Sequence, residues 1–409
     1  MPKILVVAMT ESVHTARWIN ELIDLGWDIH LFPSLDLIIH PSICDVTVHG
    51  FYVKPEKNKK TSFFPGAFPC PNQQISYYAN IGLQKLQERY LEYHHKNIDS
   101  IKVKQLVQVI KKIKPDIIHT LEMQHAGYIT QKAKEMIGVS FPTWIYTPWG
   151  NDIYFFGRLP NHIEKIKAVL TSCNYYAPKS DRDIRLANEY GFKGEFLSLL
   201  PGNGGFDTGK MRSLWQKGKS SERKKIIVKG YQGIMGRSLV ALYAIELCSE
   251  CLKDFTIDVF SANNEVKIKA QIISHDTGLK MNILPPCSHE EMLKYYGQSR
   301  FSVGLSLSDG ISNSLLESMA MGTFPIESNT SCADEWVTNG KNGFIVPPED
   351  PVYVAERIRA AATNDDLIDN AAAVNFEIIR NRMDNSVIKP KILDLYSYVL
   401  KKSNQSKDK

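Results

Sequence analysis

The 409-residue sequence lacks several features that would assign it to a specialised class of protein. No uninterrupted run reaches about 18 apolar residues, so no transmembrane helix is predicted. The seven cysteines are scattered and odd in number, which is not the pattern of a disulfide framework and fits a reducing cytoplasm. A strong charge of one sign is also missing, because the formal net charge is only +5. The balance therefore gives no reason to expect nucleic acid as a partner.

Cofactor and metal motifs are absent or incomplete. The loop after the first strand, Ile4 to Ala8, has no G-x-G-x-x-G sequence, which disfavours a dinucleotide cofactor. Cys248-x-x-Cys251 has no second pair of ligands and is more typical of helix packing than of zinc or redox chemistry. Asp181-Arg182-Asp183 opens a predicted helix and is interpreted as acids at a helix start rather than a metal site. We therefore predict that the protein needs no metal and no cofactor.

Alternating strands and helices predict an α/β protein with two domains. The length and the 43% hydrophobic content are sufficient for two separate cores. The alternation stops at the glycine-rich segment 201–205 and resumes at Lys225. We predict an N-terminal Rossmann-like domain over 1–205, a linker over 206–222, and a second Rossmann-like domain over 223–387. A final helix is predicted over 388–400.

One stretch, Phe301 to Gly322, combines a strand, a polar loop and an apolar helix that Gly322 ends. This arrangement favours phosphate binding, because the first N–H groups of a helix lack internal partners and carry the positive end of its dipole. Two acids frame the loop, Asp309 at its tip and Glu317 in the helix. Ser314-x-x-Glu317 also fits a capping box, and from spacing alone a binding site and a structural cap are equally supported.

The residues of this stretch resemble a known donor-nucleotide signature. Asp309-Gly310-x4-Leu315-Leu316-Glu317-x-Met319-Ala320-x-Gly322-x2-Pro325-Ile326 resembles the motif of family 4 retaining glycosyltransferases, although that family usually has Glu as the first acid. The resemblance implies the GT-B fold, in which two Rossmann-like domains have parallel sheets facing across a deep cleft and a C-terminal helix packs back on the first domain. It implies transfer of a sugar from a nucleotide-diphosphate sugar to an acceptor hydroxyl, in glycan, polysaccharide or glycolipid biosynthesis.

The resemblance also implies roles for residues of the second domain. Glu317 would hold the ribose hydroxyls and Asp309 would contact the transferred sugar. The amides of the helix start would face the diphosphate, on Ser312, Asn313, Ser314 and Leu315. A glycine-rich loop at Lys229 to Arg237, with Gly233 inside it, would bring positive charge to the leaving diphosphate, Arg237 being the stronger candidate. The alternative for this loop is an ordinary βα turn with solvated basic residues.

In the first domain, loops after predicted strands supply the other candidates. His125 follows the strand Pro115 to His119, at the carboxyl end where ligand clefts of α/β proteins open. The resemblance places His125 near the reacting carbon of the donor sugar, and it places four more residues on the acceptor side of the cleft: Ser12, His14, Asn151 and Asp152. Each of these has a purely structural alternative.

Two alternative functions stay open at this point: a sugar-nucleotide epimerase with the same fold, and a nucleotide-sugar-binding protein without activity. The acceptor is expected to be a glycan or a lipid-linked acceptor. Residues 101–114 form a basic amphipathic pattern, which predicts a helix packed on the sheet with a solvated lysine face, or alternatively a helix lying on an anionic membrane surface. We therefore predict a cytoplasmic protein, with peripheral contact at the inner membrane face as the alternative.

Overall fold

A computed structural model describes residues 1–35, 39–49, 61–62, 98–201 and 204–407. The chain forms two compact units. The first comprises Met1–Gly204 together with Lys389–Lys409, and the second comprises Gly205–Ile388.

The described part of the first unit contains a parallel sheet of eight strands in the order β4-β3-β2-β1-β5-β6-β7-β8. The strands are β1 (Lys3–Ala8), β2 (Asp28–Pro33), β3 (Thr47–His49), β4 (Thr61–Ser62), β5 (Ile117–Leu121), β6 (Thr143–Thr147), β7 (Tyr175–Tyr176) and β8 (Glu195–Phe196). Residues Ile4 to Ala8 of β1 are completely buried, as expected for a central strand covered on both faces. The strand order reverses between β1 and β5, so the carboxyl ends of these strands form the crevice where such sheets bind ligands.

The described part of the first unit has five helices before its connection to the second: α1 (Val13–Asn20), α2 (Ile98–Ile113), α3 (Tyr128–Ile137), α4 (Pro160–Ser172) and α5 (Asp181–Glu189). The apolar residues of α2 from Val103 to Ile113 are buried in the core, while Lys104, Lys111 and Lys112 are exposed. The helix therefore packs in the first unit with a solvated lysine face, which favours this alternative over a helix lying on a membrane surface.

The second unit has a parallel sheet of six strands in the order β11-β10-β9-β12-β13-β14. Its strands are β9 (Lys225–Lys229), β10 (Thr256–Phe260), β11 (Lys280–Ile283), β12 (Ser299–Gly304), β13 (Phe324–Ser328) and β14 (Phe344–Val346). Its helices are α6 (Thr208–Ser213), α7 (Ser238–Leu247), α8 (Asn264–Thr277), α9 (His289–Gln298), α10 (Asn313–Ala320), α11 (Pro351–Thr363) and α12 (Asp365–Met383). Here the strand order reverses between the neighbours β9 and β12.

The last helix, α13 (Asn385–Lys407), is longer than the predicted 388–400. Its buried Tyr396 accepts a hydrogen bond from Trp18 Nε1 at 2.9 Å and lies 2.6 Å from His119 Nδ1. The end of the chain thus packs against β5 and α1, within the first unit.

Several local predictions have a clear outcome. Residues 206–222, predicted as a linker, belong to the second unit, where they include α6. Asp181 and Asp183 lie in the first turn of α5, as predicted. Cys248 and Cys251 donate their S–H groups to helix carbonyl oxygens, which agrees with a packing role. Gly322 ends α10 with φ of 66°, a conformation that glycine adopts without strain. Among the described helices, none is long and apolar enough to cross a membrane.

Candidate active site

In the second unit, the glycine-rich loop and the acidic loop lie side by side because they follow adjacent parallel strands. β9 and β12 pair in parallel, and an antiparallel bridge between Gly236 and Ser306 extends the contact to the two loops that follow them. The amide of Arg237 donates to Leu305 O at 2.9 Å, and the amide of Leu307 donates to Met235 O at 2.7 Å. This extension holds the start of α7 beside the loop that carries Asp309.

Lys229, at the end of β9, reaches that loop. Its Nζ lies 3.4 Å from Asp309 Oδ2, and both side chains are partly exposed. Burial by itself lowers the pKa of Lys229, but the Asp309 and Glu327 carboxyls raise it above its ordinary value. The ammonium group is therefore held as a cation at the carboxyl end of the sheet.

Glu327, on β13, is a second acid near Lys229 that the sequence did not indicate. It faces Gly304 of β12, where a Cβ atom would lie only 2.5 Å from Glu327 Oε1, so glycine leaves the room for this carboxyl group. Burial raises the pKa of Glu327 to about 8, against the effect of Lys229 and with a further contribution from Asp309. Lys229, Ser314 and Glu327 line one small cavity.

Arg237 is the residue before α7, and its guanidinium is held mainly by backbone carbonyl groups of its own loop. Its guanidinium donates to Gly233 O at 3.1 Å and Gly236 O at 2.9 Å, and it contacts Glu349 Oε1 at 3.2 Å. The loop carbonyls thus fix the guanidinium, while the exposed Glu349 is an exchangeable partner.

Glu317 is buried on α10, and its carboxylate oxygen Oε1 lies 2.8 Å from His289 Nε2. The helix begins at Asn313 with Ser312 as its N-cap, so the capping box of Ser314 and Glu317 does not form. The Ser312 side chain accepts no hydrogen bond from a backbone amide of the first turn, and its hydroxyl is instead hydrogen-bonded to the Ser314 hydroxyl at 2.5 Å. The Ser312 side chain therefore does not occupy the first amides of α10, and these amides are the groups that bind an anion at a helix N-terminus.

In the first unit, three loops meet at the carboxyl ends of β1, β5 and β6. Ser12 is the N-cap of α1 and accepts from the amide of His14. The His14 ring packs edge-on against Trp149, with 5.4 Å between the ring centroids. Asp152 is buried and accepts from the Tyr146 hydroxyl at 2.8 Å and from the Trp149 amide at 2.7 Å. Burial raises the pKa of Asp152 to about 7.

His125 is exposed and lies in a single π-helical turn, Met123–Gly127, directly after β5. Asn151, in the neighbouring loop, accepts backbone hydrogen bonds from the amides of Phe155 and Phe156. Among the described residues, the side-chain oxygen of Asn151 is buried without a hydrogen-bond partner. The predicted first-unit residues thus lie along one edge of one sheet, and the predicted donor residues lie along the corresponding edge of the other.

Three residues near these sites were not predicted. Glu327 lies inside an apolar strand sequence, and Glu122 directly follows a strand without a spacing that would distinguish it from other polar residues. His289 contacts Glu317 from α9, 28 residues away in the sequence. No group of three or more metal-binding side chains is found within the described ranges.

Comparisons with known proteins agree with this architecture. Residues 243–374 match the sequence family described as glycosyl transferases group 1, and residues 69–180 match that described as glycosyl transferase 4-like. No curated protein matches the sequence.

Three solved structures illustrate the similarity of fold. A sucrose-phosphate synthase from Thermosynechococcus elongatus has 14% identity and a TM-score of 0.67, with 98% of this chain and 99% of the other covered. The Anabaena protein HepE, solved in complex with UDP-glucose, has 13% identity and a TM-score of 0.66, with 97% and 100% covered. A trehalose 6-phosphate synthase from Burkholderia multivorans has 12% identity and a TM-score of 0.68, with 99% and 100% covered.

Two Rossmann-like units of parallel strands, each with polar loops at the carboxyl edge of its sheet, define the GT-B fold that the sequence predicted. With a glycosyl transferases group 1 domain over 243–374, the protein is a glycosyltransferase, as predicted.

Proposed function

We propose that this glycosyltransferase moves a sugar from a nucleoside-diphosphate sugar to an acceptor hydroxyl, with retention of anomeric configuration, as family 4 enzymes do. The observation that carries the proposal is the start of α10. A buried acid, Glu317, lies one turn beyond a helix N-terminus that Ser312 does not cap, and Lys229 and Asp309 lie at the end of the adjacent strand and loop. Structures of HepE with UDP-glucose, with UDP and glucose, and with UDP support a donor of this class.

In this proposal each group has a separate task. The barrier is the departure of the diphosphate from a sugar that gains oxocarbenium character. Amides of Asn313 to Leu315 and the Arg237 guanidinium stabilise the developing phosphate charge, and Glu317 binds the ribose hydroxyls. Asp309 contacts the transferred sugar. When the donor binds, the ion pair between Asp309 and Lys229 is replaced by this contact.

The first-unit residues act on the sugar and the acceptor. His125 contributes mainly in the transition state, near the reacting carbon. Ser12, His14, Asn151 and Asp152 shape the acceptor side, where the buried Asp152 fixes its loop and Asn151 offers a polar group. The acceptor is a glycan or a lipid-linked acceptor. We place the reaction in the cytoplasm because the scattered cysteines give no disulfide framework.

Glu317→Gln tests the donor site. UDP, GDP, ADP and dTDP are first compared by thermal shift, and the best of them is then titrated by calorimetry. Loss of the charged hydrogen bonds to ribose should weaken nucleotide binding by about 1.5–3 kcal/mol. Glu377→Gln, the same change on the exposed face of α12, serves as the control and should bind normally. Equal affinity of Glu317→Gln and wild type would remove Glu317 from the donor site.

A further inference from the structure

The turn that carries His125 is built around a buried acid that has no assigned role. Glu122, the last residue before the turn, is 3% exposed, and its backbone has φ of 78°. A residue with a side chain rarely adopts this left-handed region, and such strain persists only where the surrounding structure enforces it. Something specific must therefore hold Glu122 in this conformation.

The Glu122 carboxylate supplies that constraint by binding the backbone of the turn that follows it. Oε1 accepts from the amide of His125 at 2.8 Å and from the amide of Ala126 at 2.5 Å, while Oε2 lies 3.1 Å from the His125 amide. The Gly127 amide closes the turn on the Glu122 carbonyl at 3.1 Å. Five consecutive residues are thus folded around one side chain, and His125 is the exposed member.

Hydrogen bonds to the end of β6 and to the loop after it also hold this turn. The amide of Glu122 donates to Thr147 O at 3.1 Å, at the end of β6. Gln124 Nε2 donates to Asp152 O at 2.9 Å, in the loop that also carries Asn151. Burial, with the nearby Asp152 carboxyl, raises the pKa of Glu122, while the turn amides act in the opposite direction.

We propose that Glu122 is a positioning residue for transfer: its carboxylate, by binding the amides of His125 and Ala126, fixes the backbone from which His125 acts. The proposal rests on the proposed role of His125. A π-helical turn inserted at the start of a helix often marks a functional site, because it places one side chain where a regular helix does not. Glu122 itself does not contact the substrate, since it is buried beneath the turn.

Glu122→Gly is the informative variant because glycine adopts the backbone of this position without strain and yet lacks the carboxylate. We expect kcat at saturating donor and acceptor to fall by about 10- to 100-fold, as for loss of a group used mainly in the transition state, with nucleotide affinity unchanged. Glu122→Gln keeps one acceptor oxygen, and its kcat should lie between those of wild type and Glu122→Gly. Lys114→Gly makes the same backbone change at an exposed residue with φ of 48° and should keep wild-type kcat.

The double variant separates positioning from a general structural role. His125→Ala alone should lose about 100-fold in kcat, and Glu122→Gly should add less than about threefold to that loss, because both changes remove one function. Multiplicative losses, or wild-type kcat in Glu122→Gly, would overturn the proposal for Glu122. Wild-type kcat in His125→Ala would overturn both this proposal and the role of His125, whereas absence of any transfer by the wild-type protein would contradict the proposed function itself.

Discussion

In the proposed donor site, Arg237 is the residue whose task can be separated most clearly from that of its neighbours. Its guanidinium is oriented by the carbonyls of Gly233 and Gly236, so that the geometry does not depend on an acid. Glu349, its one acidic contact in the described structure, is mostly exposed and costs little to displace. We interpret Arg237 as a preorganised phosphate-binding residue, and we expect the diphosphate to displace Glu349 from its guanidinium.

Arg237→Ala should therefore weaken binding of the nucleoside diphosphate by about 10-fold or more, while binding of the bare nucleoside changes little, because the guanidinium acts on phosphate charge. Calorimetry with the two ligands measures the difference. Glu349→Gln removes the competing acid and should leave diphosphate binding unchanged or tighter. Equal losses for nucleoside and diphosphate in Arg237→Ala would indicate a structural role for the loop instead.

Glu327 gives the second unit a pH-dependent stability of predictable sign. Its pKa of about 8 in the folded protein exceeds the ordinary value, so the folded chain retains a proton that the unfolded chain releases. This contribution to the free energy of unfolding is complete below about pH 4.5 and is lost as pH rises towards about 8. Glu122 and Asp152 in the first unit act with the same sign.

Glu327→Gln should flatten this dependence. Between pH 5.5 and 8, thermal unfolding of the second unit should lose less stability in Glu327→Gln than in wild type, by up to a few kcal/mol at about 1.4 kcal/mol for each unit of pKa shift. The exposed Glu377→Gln should retain the wild-type slope. The same slope in Glu327→Gln and wild type would mean that Glu327 is ionised in the folded protein.

The sequence indicated the polar residues of the loops better than those inside strands. Asp309 and Glu317 stood out by their position after a strand, where spacing alone supported a site and a structural cap equally and the family resemblance implied the donor roles. Glu327 was missed because it occupies an apolar strand, and its burial depends on Gly304 of a neighbouring strand. Likewise, the left-handed backbone of Glu122 follows from hydrogen bonds that no residue pattern encodes.

Among the elements, α10 is the one on which donor binding depends most in the proposed function. The strand and helix predicted within Phe301 to Gly322 form as β12 and α10, but β12 begins at Ser299 and ends at Gly304, and the helix starts at Asn313 rather than Ser314. Because of this shift, the predicted capping box does not form. The N-cap residue is Ser312, and its side chain makes no hydrogen bond to the helix amides. Propensity locates a helix well, but the choice of cap depends on which side chains tertiary contacts have already engaged, here Glu317 with His289.

If, as proposed, helix amides and Arg237 bind the diphosphate, transfer should not depend on a divalent cation. We expect turnover in excess EDTA to stay within about twofold of the untreated enzyme, because the amides and the guanidinium already stabilise the phosphate charge. The assay follows release of the nucleoside diphosphate, with EDTA alone and with magnesium or manganese restored. Complete loss in EDTA, reversed by either cation, would contradict this description of the donor site.

For the whole molecule, the two Rossmann-like units followed from the alternation of strands and helices, but the path of the chain between them did not. Residues 206–222 look like a linker by composition, yet Ser220 and Ser221 are buried in the second unit, where Ser221 bonds Asp369. The contact between Trp18 and Tyr396 joins residues 378 apart in sequence, beyond the range of any local pattern.

Transfer of labelled sugar tests the central claim most directly. The protein is incubated with labelled UDP-, GDP-, ADP- and dTDP-sugars, together with a membrane lipid extract and a mixture of free oligosaccharides as acceptors. Our account predicts that label from one donor moves to an acceptor, that one nucleoside diphosphate is released per sugar, and that NMR shows the product with the anomeric configuration of the donor. Glu317→Gln and His125→Ala should reduce this transfer strongly. Label that stays on the nucleotide as an epimer, or binding without any product, would contradict the account.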